Sequence, residues 1–505
     1  MSFITVDRDL PAPLTRQIYE RLRGLILTGD LSTGASMIST RRLAADLRVS
    51  RNIVLGAFDQ LLAEGYIETR VGAGTFVASG AAFSPRDLPG LSAIRQVGFT
   101  FHTDLVDFRS GLPDLTRFPT GTWQRLSREV WGSLTPLDLA YSQPEGRPEL
   151  RAEIARYIAA YRGVRCHPEQ ILITGGTTQA IGIVSRLLLR GARSGCVLED
   201  PVTSDIQRIT ASFGGKILPV RVDGHGLDVD ALPPRARPGF IYVTPSHQFP
   251  LGVTMPIQRR ARLLEYARAR GTFVVEDDYD SEFRYDSPPI SSIQGLDPER
   301  VVYIGTFSKT LCPALRIGYI VFPPELVNRG REVKWFTDLH NSSVEQMILA
   351  RFMAGGHFVR YVHSMKKAHR ALRQALVDSL QRHFGARVEV LGSAAGLHLC
   401  ARFRGTRFTA GLLRRIEDAG AKVYPVEGHA IRKGRWEDTL ILGYGMQSPR
   451  RLEDGIRVLA GCLAGSGATQ ETWFPRGAPA AGKNAVAAGR RRVWPQSRKK
   501  RIFEQ

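Results

Sequence analysis

Apolar and polar positions between residues 14 and 62 follow the period of an α-helix in three successive segments. The first segment repeats apolar residues at helical spacing from Leu14 to Ile26, and Gly29 is placed to end that helix. Ser39 is the N-cap candidate for a short second helix, and Ser50 is the candidate for a third. The pattern therefore predicts three helices in the N-terminal part of the chain.

A β-type pattern follows the third helix. Two short runs, at 65–70 and 75–77, are separated by a Gly-Ala-Gly turn at 72–74. Three helices and such a hairpin together predict a winged helix-turn-helix domain, of α+β class, over residues 11–80. Residues 81–105 are richer in Ser, Pro, Gly and Ala and lack sustained periodicity, so we interpret them as a linker between domains.

Residues 106–464 alternate short apolar runs with helical segments, which is typical of an α/β domain with a largely parallel sheet. The apolar runs that we predict to be strands include 171–174, 195–198, 240–243, 272–275 and 301–304. Residues 465–505 are rich in Gly, Ala, Pro and Arg, and we expect them to form a disordered basic tail.

Composition indicates a globular protein, but it does not show which partner the protein binds. The 505 residues carry a formal net charge of +21, yet residues 1–80 hold nine basic against eight acidic side chains. This excess is consistent with nucleic-acid binding without establishing it. Five scattered cysteines without a CxxC pair indicate reduced thiols and no metal site. The chain lacks the roughly 18-residue apolar run of a membrane span and a signal-peptide pattern, so we expect a cytoplasmic protein.

One group of residues combines a lysine, an acid and a phenol. Lys309 follows the predicted strand 301–304, Asp277 ends the predicted strand before it, and Tyr279 comes two residues later. Pyridoxal 5′-phosphate (PLP) needs a lysine to hold its aldehyde as a Schiff base, and a carboxylate to keep its pyridine nitrogen protonated. We assign these roles to Lys309 and Asp277, and the ring-hydroxyl contact to Tyr279. Taken alone, Lys309 also fits a surface loop, and the acidic run also fits a strand end in solvent.

A glycine turn between a predicted strand and an apolar helix supplies a candidate phosphate site, because backbone amides at a helix N-terminus bind anions. A hydroxyl and a bidentate cation further along the chain complete it. The phosphate candidates are Gly176, Thr177, Thr178, Ser308 and Arg316. A glycine pair alone is weak evidence for phosphate, but all the parts in this order on alternating βα units favour PLP strongly.

Seven motifs occur in an order that resembles known proteins: Pro11–Tyr19, Ser50–Val54, Glu64–Glu68, Gly74–Val77, Thr244–Gly252, Glu276–Tyr285 and Gly305–Thr310. Residues 106–462 resemble a fold-type I PLP enzyme of the aspartate aminotransferase superfamily. Residues 11–462 as a whole resemble the MocR subfamily of GntR-type regulators, in which such a domain follows a winged helix. The resemblance implies a homodimer and the PLP roles assigned above.

The chain departs from the aminotransferase pattern around the cofactor. Phe249 stands where those enzymes carry an asparagine before Pro250, so the ring-hydroxyl contact falls to His247 or Gln248. Residues 202–203 are Val-Thr where many relatives place the aromatic residue that stacks on the PLP ring.

A further departure concerns the ligand. The predicted strand that begins at Thr439 lacks the arginine with which aminotransferases clamp the substrate carboxylate. Arg432 or Arg435 substitutes for it, or the ligand is not an α-amino acid.

A recognition helix that begins at Ser50 presents its first turn to the major groove of DNA. Arg51 can fork onto guanine or a phosphate, and Asn52 can reach a base or the backbone. The resemblance to GntR-type proteins implies further contacts from the start of the preceding helix and from the wing tip, at Ser39, Thr40, Arg41 and Gly74. The alternative is a helical adaptor that binds protein.

These observations predict a PLP-dependent transcriptional regulator that binds operator DNA and senses an amino-containing effector or PLP itself. The rival hypothesis is an active aminotransferase with an accessory DNA-binding domain, and slow or vestigial transamination is compatible with either. A regulator that has lost PLP is disfavoured because Lys309, Asp277 and Arg316 are all present. The sequence leaves open the effector, the operator, and the choice between activation and repression.

Overall fold

The computed structural model describes residues 4–81, 104–189 and 195–464. The chain divides into two compact units, Met1–Thr100 and Phe101–Gln505. Only the ends of the predicted linker are described, and the predicted basic tail lies outside the described residues. The domain boundaries therefore stay a prediction.

The first unit contains the helices and the hairpin that the apolar pattern predicts: α1 (Leu14–Thr28), α2 (Thr40–Leu47), α3 (Arg51–Ala63), β1 (Ile67–Arg70) and β2 (Gly74–Val77). α1 ends where Gly29 takes a left-handed φ of 85°. Ser39 caps α2 by accepting a hydrogen bond from the backbone N–H of Arg42 at 3.3 Å. Ser50 is the N-cap of α3, but its side chain makes no capping hydrogen bond. The winged-helix prediction is confirmed.

The three helices and the hairpin of this unit share one core, which includes Ile18, Leu22, Leu43, Val54, Phe58, Leu61, Ile67 and Val77. The hairpin pairs Ile67 with Val77 and Arg70 with Gly74. The backbone N–H of Met37 donates to the Thr75 carbonyl at 2.8 Å, so the segment before α2 lies along the wing.

The second unit alternates strands and helices. Its strands are β3 (Val106–Asp107), β4 (Ile171–Thr174), β5 (Gly195–Asp200), β6 (Lys216–Asp223), β7 (Gly226–Leu227), β8 (Phe240–Val243), β9 (Phe273–Asp278), β10 (Val301–Thr306), β11 (Gly318–Val321), β12 (Val388–Leu391), β13 (His398–Phe403), β14 (Ala421–Lys422), β15 (Tyr424–Pro425) and β16 (Thr439–Gly443). Its helices are α4 (Thr120–Trp131), α5 (Pro148–Arg162), α6 (Thr177–Leu188), α7 (Ser204–Ser212), α8 (Ile257–Arg270), α9 (Val327–Asp338), α10 (Ser343–Ala354), α11 (His357–Phe384), α12 (Ala410–Asp418) and α13 (Pro449–Ala464).

Eight of these strands form the main sheet, in the order β4-β11-β10-β9-β8-β5-β6-β7. The five strands from β10 to β6 are parallel to one another, whereas β11 is antiparallel to both β10 and β4. The carboxyl ends of β4, β5, β8, β9 and β10 therefore meet at one edge. In α/β proteins this edge is where ligands bind.

Both faces of the main sheet are buried, as is usual for parallel sheets. On β4, Ile171 and Ile173 belong to one apolar cluster with residues of α5 and α10, whereas Leu172 belongs to another with residues of α6. A smaller antiparallel sheet has the order β12-β13-β16-β15. Within the described residues, no helix has both the length and the apolar character needed to cross a membrane.

Candidate functional site

Lys309 lies in the loop that follows β10, at the carboxyl edge of the main sheet. It is half-buried, and a Cβ atom on Gly111, whose φ is +82°, would lie 2.8 Å from its Nζ. Burial lowers the pKa of the Lys309 ammonium, and the carboxylates of Asp280 and Asp277 partly oppose this shift. An amine with a lowered pKa is suited to attack an aldehyde.

Asp277 lies near the end of β9 with one carboxylate oxygen satisfied and the other not. Its Oδ2 accepts a 2.6 Å hydrogen bond from the Tyr242 hydroxyl, whereas its Oδ1 is buried without a partner among the described residues. Burial raises the pKa of Asp277 to about 7, although the Tyr242 hydrogen bond and the charge of Lys309 act to lower it. A buried carboxylate oxygen without a donor fits the protonated pyridine nitrogen of PLP.

The neighbouring carboxylate Asp278 also has one oxygen without a partner, but its charge is compensated. Its Oδ2 lies 2.6 Å from Nε of Arg162 and accepts a 2.5 Å hydrogen bond from the Tyr303 hydroxyl. Burial acts to lower the pKa of Arg162, and attraction to Asp278 outweighs it, so the pKa is raised. Asp278 is therefore one half of a buried ion pair, and Asp277 is the acid that remains for a ligand.

Tyr279 and His247 are brought together beside Asp277. The Tyr279 hydroxyl donates to the His247 carbonyl at 3.0 Å and lies 3.1 Å from His247 Nδ1. Both polar atoms of the Gln248 amide are engaged within the protein: its Nε2 donates to the Pro201 carbonyl at 2.9 Å, and its Oε1 accepts from the backbone N–H of Leu251. Of the two residues expected to replace the missing asparagine, His247 is thus the one that contacts Tyr279.

His247, Asp280 and His398 form a buried cluster whose donor atoms lie within 4.8 Å of one another. His247 Nδ1 lies 3.0 Å from Asp280 Oδ2, and His398 Nε2 lies 3.0 Å from the Pro250 carbonyl. Burial and the nearby His247 lower the pKa of His398 to about 3, so this ring is neutral. The three side chains already have hydrogen-bond partners, and we therefore describe the cluster as a hydrogen-bonded one.

The predicted phosphate residues form a cradle between β4 and α6. Gly176 is the N-cap of α6 with a φ of 99°, and a Cβ atom there would lie 3.3 Å from Nη1 of Arg316. Arg316 is exposed and makes no hydrogen bond or ion pair with any described residue. Thr177 and Thr178 form the first turn of α6, where backbone N–H groups lack helical partners. The cradle therefore combines free amides with an unpaired guanidinium, which is what a phosphate requires.

Ser308 lies next to Lys309 and is half-buried, with its backbone N–H donating to the Thr306 hydroxyl at 3.2 Å. The position of its side chain beside Lys309 is compatible with the predicted phosphate role.

A polar cluster around the buried Lys334 adjoins the cradle. The backbone N–H of Gly175 donates to Gln179 Oε1 at 2.6 Å, and Lys334 Nζ lies 3.3 Å from the same oxygen. Lys334 is fully buried and is bound by Asp338 at 2.5 Å and by Asn341 at 2.7 Å. Burial lowers the pKa of Lys334, and the bond to Asp338 opposes this shift.

The two candidate effector arginines are exposed, and Arg432 adjoins the end of β5. The backbone N–H of Arg432 donates to Asp200 Oδ2 at 3.1 Å, which leaves its guanidinium exposed. Arg435 is exposed and lies over the Trp436 ring at 5.3 Å. Val202 is buried and Thr203 begins the turn into α7, so neither residue supplies an aromatic face.

The predicted DNA contacts lie on the surface of the first unit. Six of the seven are exposed and Thr40 is half-exposed: Ser39, Thr40, Arg41, Ser50, Arg51, Asn52 and Gly74. Arg51 Nε lies 3.5 Å from the Thr40 hydroxyl, so the starts of α2 and α3 adjoin. Gly74 takes a φ of +109° at the wing tip. No acidic residue lies in the first turn of either helix, which favours an approach of phosphate.

Comparison with known proteins connects the two units. The family of class I and II aminotransferases matches residues 128–424, and the gntR family of bacterial regulatory proteins matches residues 14–77. The chain is 36% identical to the probable rhizopine catabolism regulatory protein MocR of Rhizobium meliloti, over 94% of this chain and 100% of that protein. The chain belongs to the MocR-type regulators of the GntR family.

Other relatives of this MocR-type regulator include both regulators and enzymes. It is 30% identical to the pyridoxine biosynthesis transcriptional regulator PdxR of Corynebacterium glutamicum, over 75% of this chain and 81% of that protein. The solved structure of LysN, an α-aminoadipate aminotransferase of Thermus thermophilus, is similar with a TM-score of 0.66 and 30% identity. That similarity covers 72% of this chain and 93% of the enzyme. The second unit therefore has an aminotransferase class I/II domain, a family that typically binds PLP.

Sequence reasoning missed several residues of the MocR-type site. Tyr242 and Gly111 gave no signal, because the first is one aromatic residue in an apolar run and the second lies almost 200 positions before Lys309. Asp280 lies inside the Glu276–Tyr285 motif, so a place near the site could have been predicted for it from the sequence. The pairing of Arg162 with Asp278 joins α5 to β9 and could not be derived from either segment alone.

The raised pKa of Asp277 predicts a pH dependence of stability in the cofactor-free protein. Its pKa is about 7 when folded and about 3.9 when unfolded. Folding therefore favours the protonated acid, and this contribution is present below about pH 4 and lost as the pH rises through about 7. We expect the melting temperature to fall less between about pH 5 and pH 8 in Asp277→Asn than in the wild type.

Thermal unfolding of the cofactor-free proteins, followed by circular dichroism, measures this difference. Asp418→Asn, at an exposed position in α12 of the same unit, is the matched control and should fall as steeply as the wild type. An equally steep fall in Asp277→Asn would contradict the assignment.

The exposed first turn of α3 predicts a role for Arg51 in DNA binding. We expect Arg51→Ala to weaken binding by about 1–3 kcal/mol if the side chain reads a base. Fluorescence anisotropy with a duplex selected from a random library by the wild-type protein measures the affinity. The control is Arg16→Ala on α1, where Arg16 pairs with Glu20 outside the predicted contact set. Unchanged affinity of Arg51→Ala would remove Arg51 from the interface.

Proposed function

We propose that this protein is a PLP-dependent transcriptional regulator, which binds operator DNA through the first unit and senses a small amino compound, or PLP itself, in the second. The observation that carries the proposal is the convergence of three separate groups at one sheet edge. They are the half-buried amine of Lys309, the unpartnered Oδ1 of Asp277 and the unpaired guanidinium of Arg316 beside the α6 N-terminus. Since PLP has an aldehyde, a pyridine nitrogen and a phosphate, these groups match it part for part.

Each residue has a separate task in this proposal. Asp277 holds a proton on the ring nitrogen, while Tyr242 keeps the carboxylate oriented through its 2.6 Å hydrogen bond. The Tyr279 hydroxyl, which here donates to the His247 carbonyl at 3.0 Å, would turn to donate to the ring hydroxyl of bound PLP. Lys309 holds the aldehyde, and Arg316 binds the phosphate. When bound, PLP supplies an electrophilic carbon for amines and a ring that withdraws electrons.

Regulation requires only that the amino compound binds two conformations of the protein with different affinity. An amine bound beside Lys309 would compete with its Nζ for the aldehyde, so the charge of Lys309 next to Asp280 and Asp277 would differ between the free and the amine-bound protein. We propose that this change alters the affinity of the first unit for DNA. Because such a regulator works at the chromosome of a bacterial cell, its place is the cytoplasm.

The proposal favours a sensor over an efficient transaminase. β16 carries no arginine that could clamp a carboxylate, and both Arg432 and Arg435 point their charge at the surface. The regulator MocR matches 94% of the chain, whereas the similarity to the enzyme LysN covers 72% of it. The effector is then an amino compound whose acidic group, if it has one, is bound differently from that of an α-amino acid.

A homodimer is part of the same proposal, since paired subunits suit paired DNA half-sites. Among the described residues of the second unit, the four most exposed large apolar side chains are Leu137 at 85%, Tyr141 at 81%, Phe336 at 67% and Leu139 at 63%, and we name these four the association patch. The rings of Tyr141 and His340 lie 6.2 Å apart, so the segment of Tyr141 adjoins the residues that follow α9, the helix of Phe336. Exposed apolar side chains in such a group mark an interface more often than a bare surface.

The function is tested by measuring operator affinity with and without PLP in the wild type and in Lys309→Ala. We expect PLP to change the affinity of the wild type and to leave Lys309→Ala unaffected, because the variant cannot hold the aldehyde. Borohydride reduction followed by mass spectrometry should find a phosphopyridoxyl adduct on the wild type and none on the variant. Lys216→Ala, at an exposed position in β6, is the control and should behave as the wild type.

Either of two results would contradict this function. An adduct that persists in Lys309→Ala would place the cofactor elsewhere, and an operator affinity indifferent to PLP and to a panel of amines would remove the sensor role. Steady release of a keto product from one of those amines would instead favour the hypothesis of an active aminotransferase over that of a sensor.

The association patch predicts the oligomeric state. Light scattering after size exclusion should give the wild type twice the chain mass of 55.9 kDa. We expect Leu137→Asp to shift the protein toward the monomer, because a charge would be buried in the interface without a partner. Ile257→Asp, at an exposed apolar position that begins α8, is the control and should remain a dimer. A dimer of undiminished stability in Leu137→Asp would place the interface elsewhere.

A further inference from the structure

A cavity lies in the second unit between α5, α11 and the segment that follows β9. Its volume is about 180 Å³, and its walls are mostly apolar. The apolar part consists of Tyr157 and Tyr161 on α5 with Val359 and Val362 on α11. The Tyr157 and Tyr161 rings lie 4.9 Å apart, and Tyr161 remains 45% exposed at the mouth. An apolar cavity of about 150 Å³ in another protein takes up benzene, so this one has room for a single substituted ring.

Three basic side chains, Arg162, Arg284 and Lys366, line this cavity against one acid, Glu282. Lys366 lines it and makes no hydrogen bond or ion pair with any described residue. Burial lowers the pKa of Lys366, and the charges of Arg370 and Arg284 lower it further. Arg284 donates through Nε to Ser287 and through Nη1 to the Ser246 carbonyl, which leaves its Nη2 without a partner in the described part of the chain. A ligand with a negative charge would relieve this repulsion.

The cavity also contains a hydroxyl that the protein does not satisfy. Ser281 lines it, is 4% exposed, and its Oγ has no hydrogen-bond partner among the described residues. Buried hydroxyls are normally hydrogen-bonded, so this one is available to an acceptor. The acid in the lining, Glu282, has its pKa raised to about 7 by burial and by Asp278, which reduces its repulsion of an anion.

From these observations we infer that the cavity is a binding site for a small monocarboxylate with an aromatic or branched apolar body. The carboxylate pairs with Lys366 and accepts from Ser281, while the body lies against Tyr157 and the two valines. The shape of the site supports this class, because ligand pockets are mostly apolar with a few polar groups that fix orientation.

This cavity is separate from the site at Lys309. Arg162 contributes to its wall and binds Asp278, whereas the cofactor residue is Asp277. Successive side chains of a strand point to opposite faces, so the two carboxylates of β9 face different sites. The inference therefore stands on residues that the proposed function does not use, and it survives or fails independently.

Isothermal titration of benzoate into the full-length, PLP-loaded protein tests the inference. We expect one benzoate per chain without loss of the visible cofactor band. Lys366→Met should weaken benzoate binding by at least about tenfold, because it removes a charge-assisted hydrogen bond and keeps the apolar stem. Lys367→Met, at the exposed neighbouring position, is the matched control and should bind as the wild type does. Val362→Trp should abolish binding by filling the cavity.

Three outcomes would overturn the inference. The wild type fails to bind benzoate, Lys366→Met binds it as well as Lys367→Met does, or toluene binds as tightly as benzoate. The third result would make the cavity an apolar one without a carboxylate preference. Circular dichroism and the cofactor band confirm that each variant is folded before its affinity is compared.

Discussion

Three consecutive carboxylates, Glu276, Asp277 and Asp278, are buried at the end of β9, and the contacts they require join β9 to β8, β10, α5 and the segment before β10. Burying an unpaired charge is costly, so each acid must find a donor, a cation or a proton. Glu276 accepts hydrogen bonds from the backbone N–H groups of Ile293 and Gln294, each at 2.9 Å. Asp278 is paired with Arg162. The pleat of the strand directs Asp277 to the other face, where its Oδ1 is left unpartnered.

This arrangement supports the proposed place of the ligand site beside Asp277. Burial raises the pKa of both Glu276 and Asp277 to about 7, and of these two acids Asp277 alone has an oxygen without a donor among the described residues. A ligand with a protonated ring nitrogen would supply the hydrogen-bond donor that Asp277 Oδ1 lacks among the described residues. The cradle at Gly176 and the amine of Lys309 lie at the ends of β4 and β10, which share the edge with β9. Cofactor binding is thus expected to stabilise the folded state as well as to supply chemistry.

The first unit is organised by different physics. The predicted DNA contacts of this unit are exposed or half-exposed, and residues 1–80 carry almost no net charge. A small apolar core holds the two helices and the hairpin in fixed positions. It thereby places the exposed arginines at the starts of α2 and α3 and the glycine at the wing tip. DNA recognition of this kind depends on geometry and local charge more than on net charge. The large basic excess of the chain therefore says little about where DNA binds.

The sequence by itself determined the order of elements, the two fold classes and the principal candidate residues, from Arg51 in the winged helix to Lys309 in the second unit. It could do so because helix period, strand runs, caps and glycine turns are local properties of neighbouring residues. The tertiary structure decided which side chains meet. Tyr242 on Asp277, Gly111 against Lys309, and the pairing of α5 with β9 join segments far apart in the chain. Such contacts depend on strand order and on which face each residue takes, and neither is encoded in a local pattern.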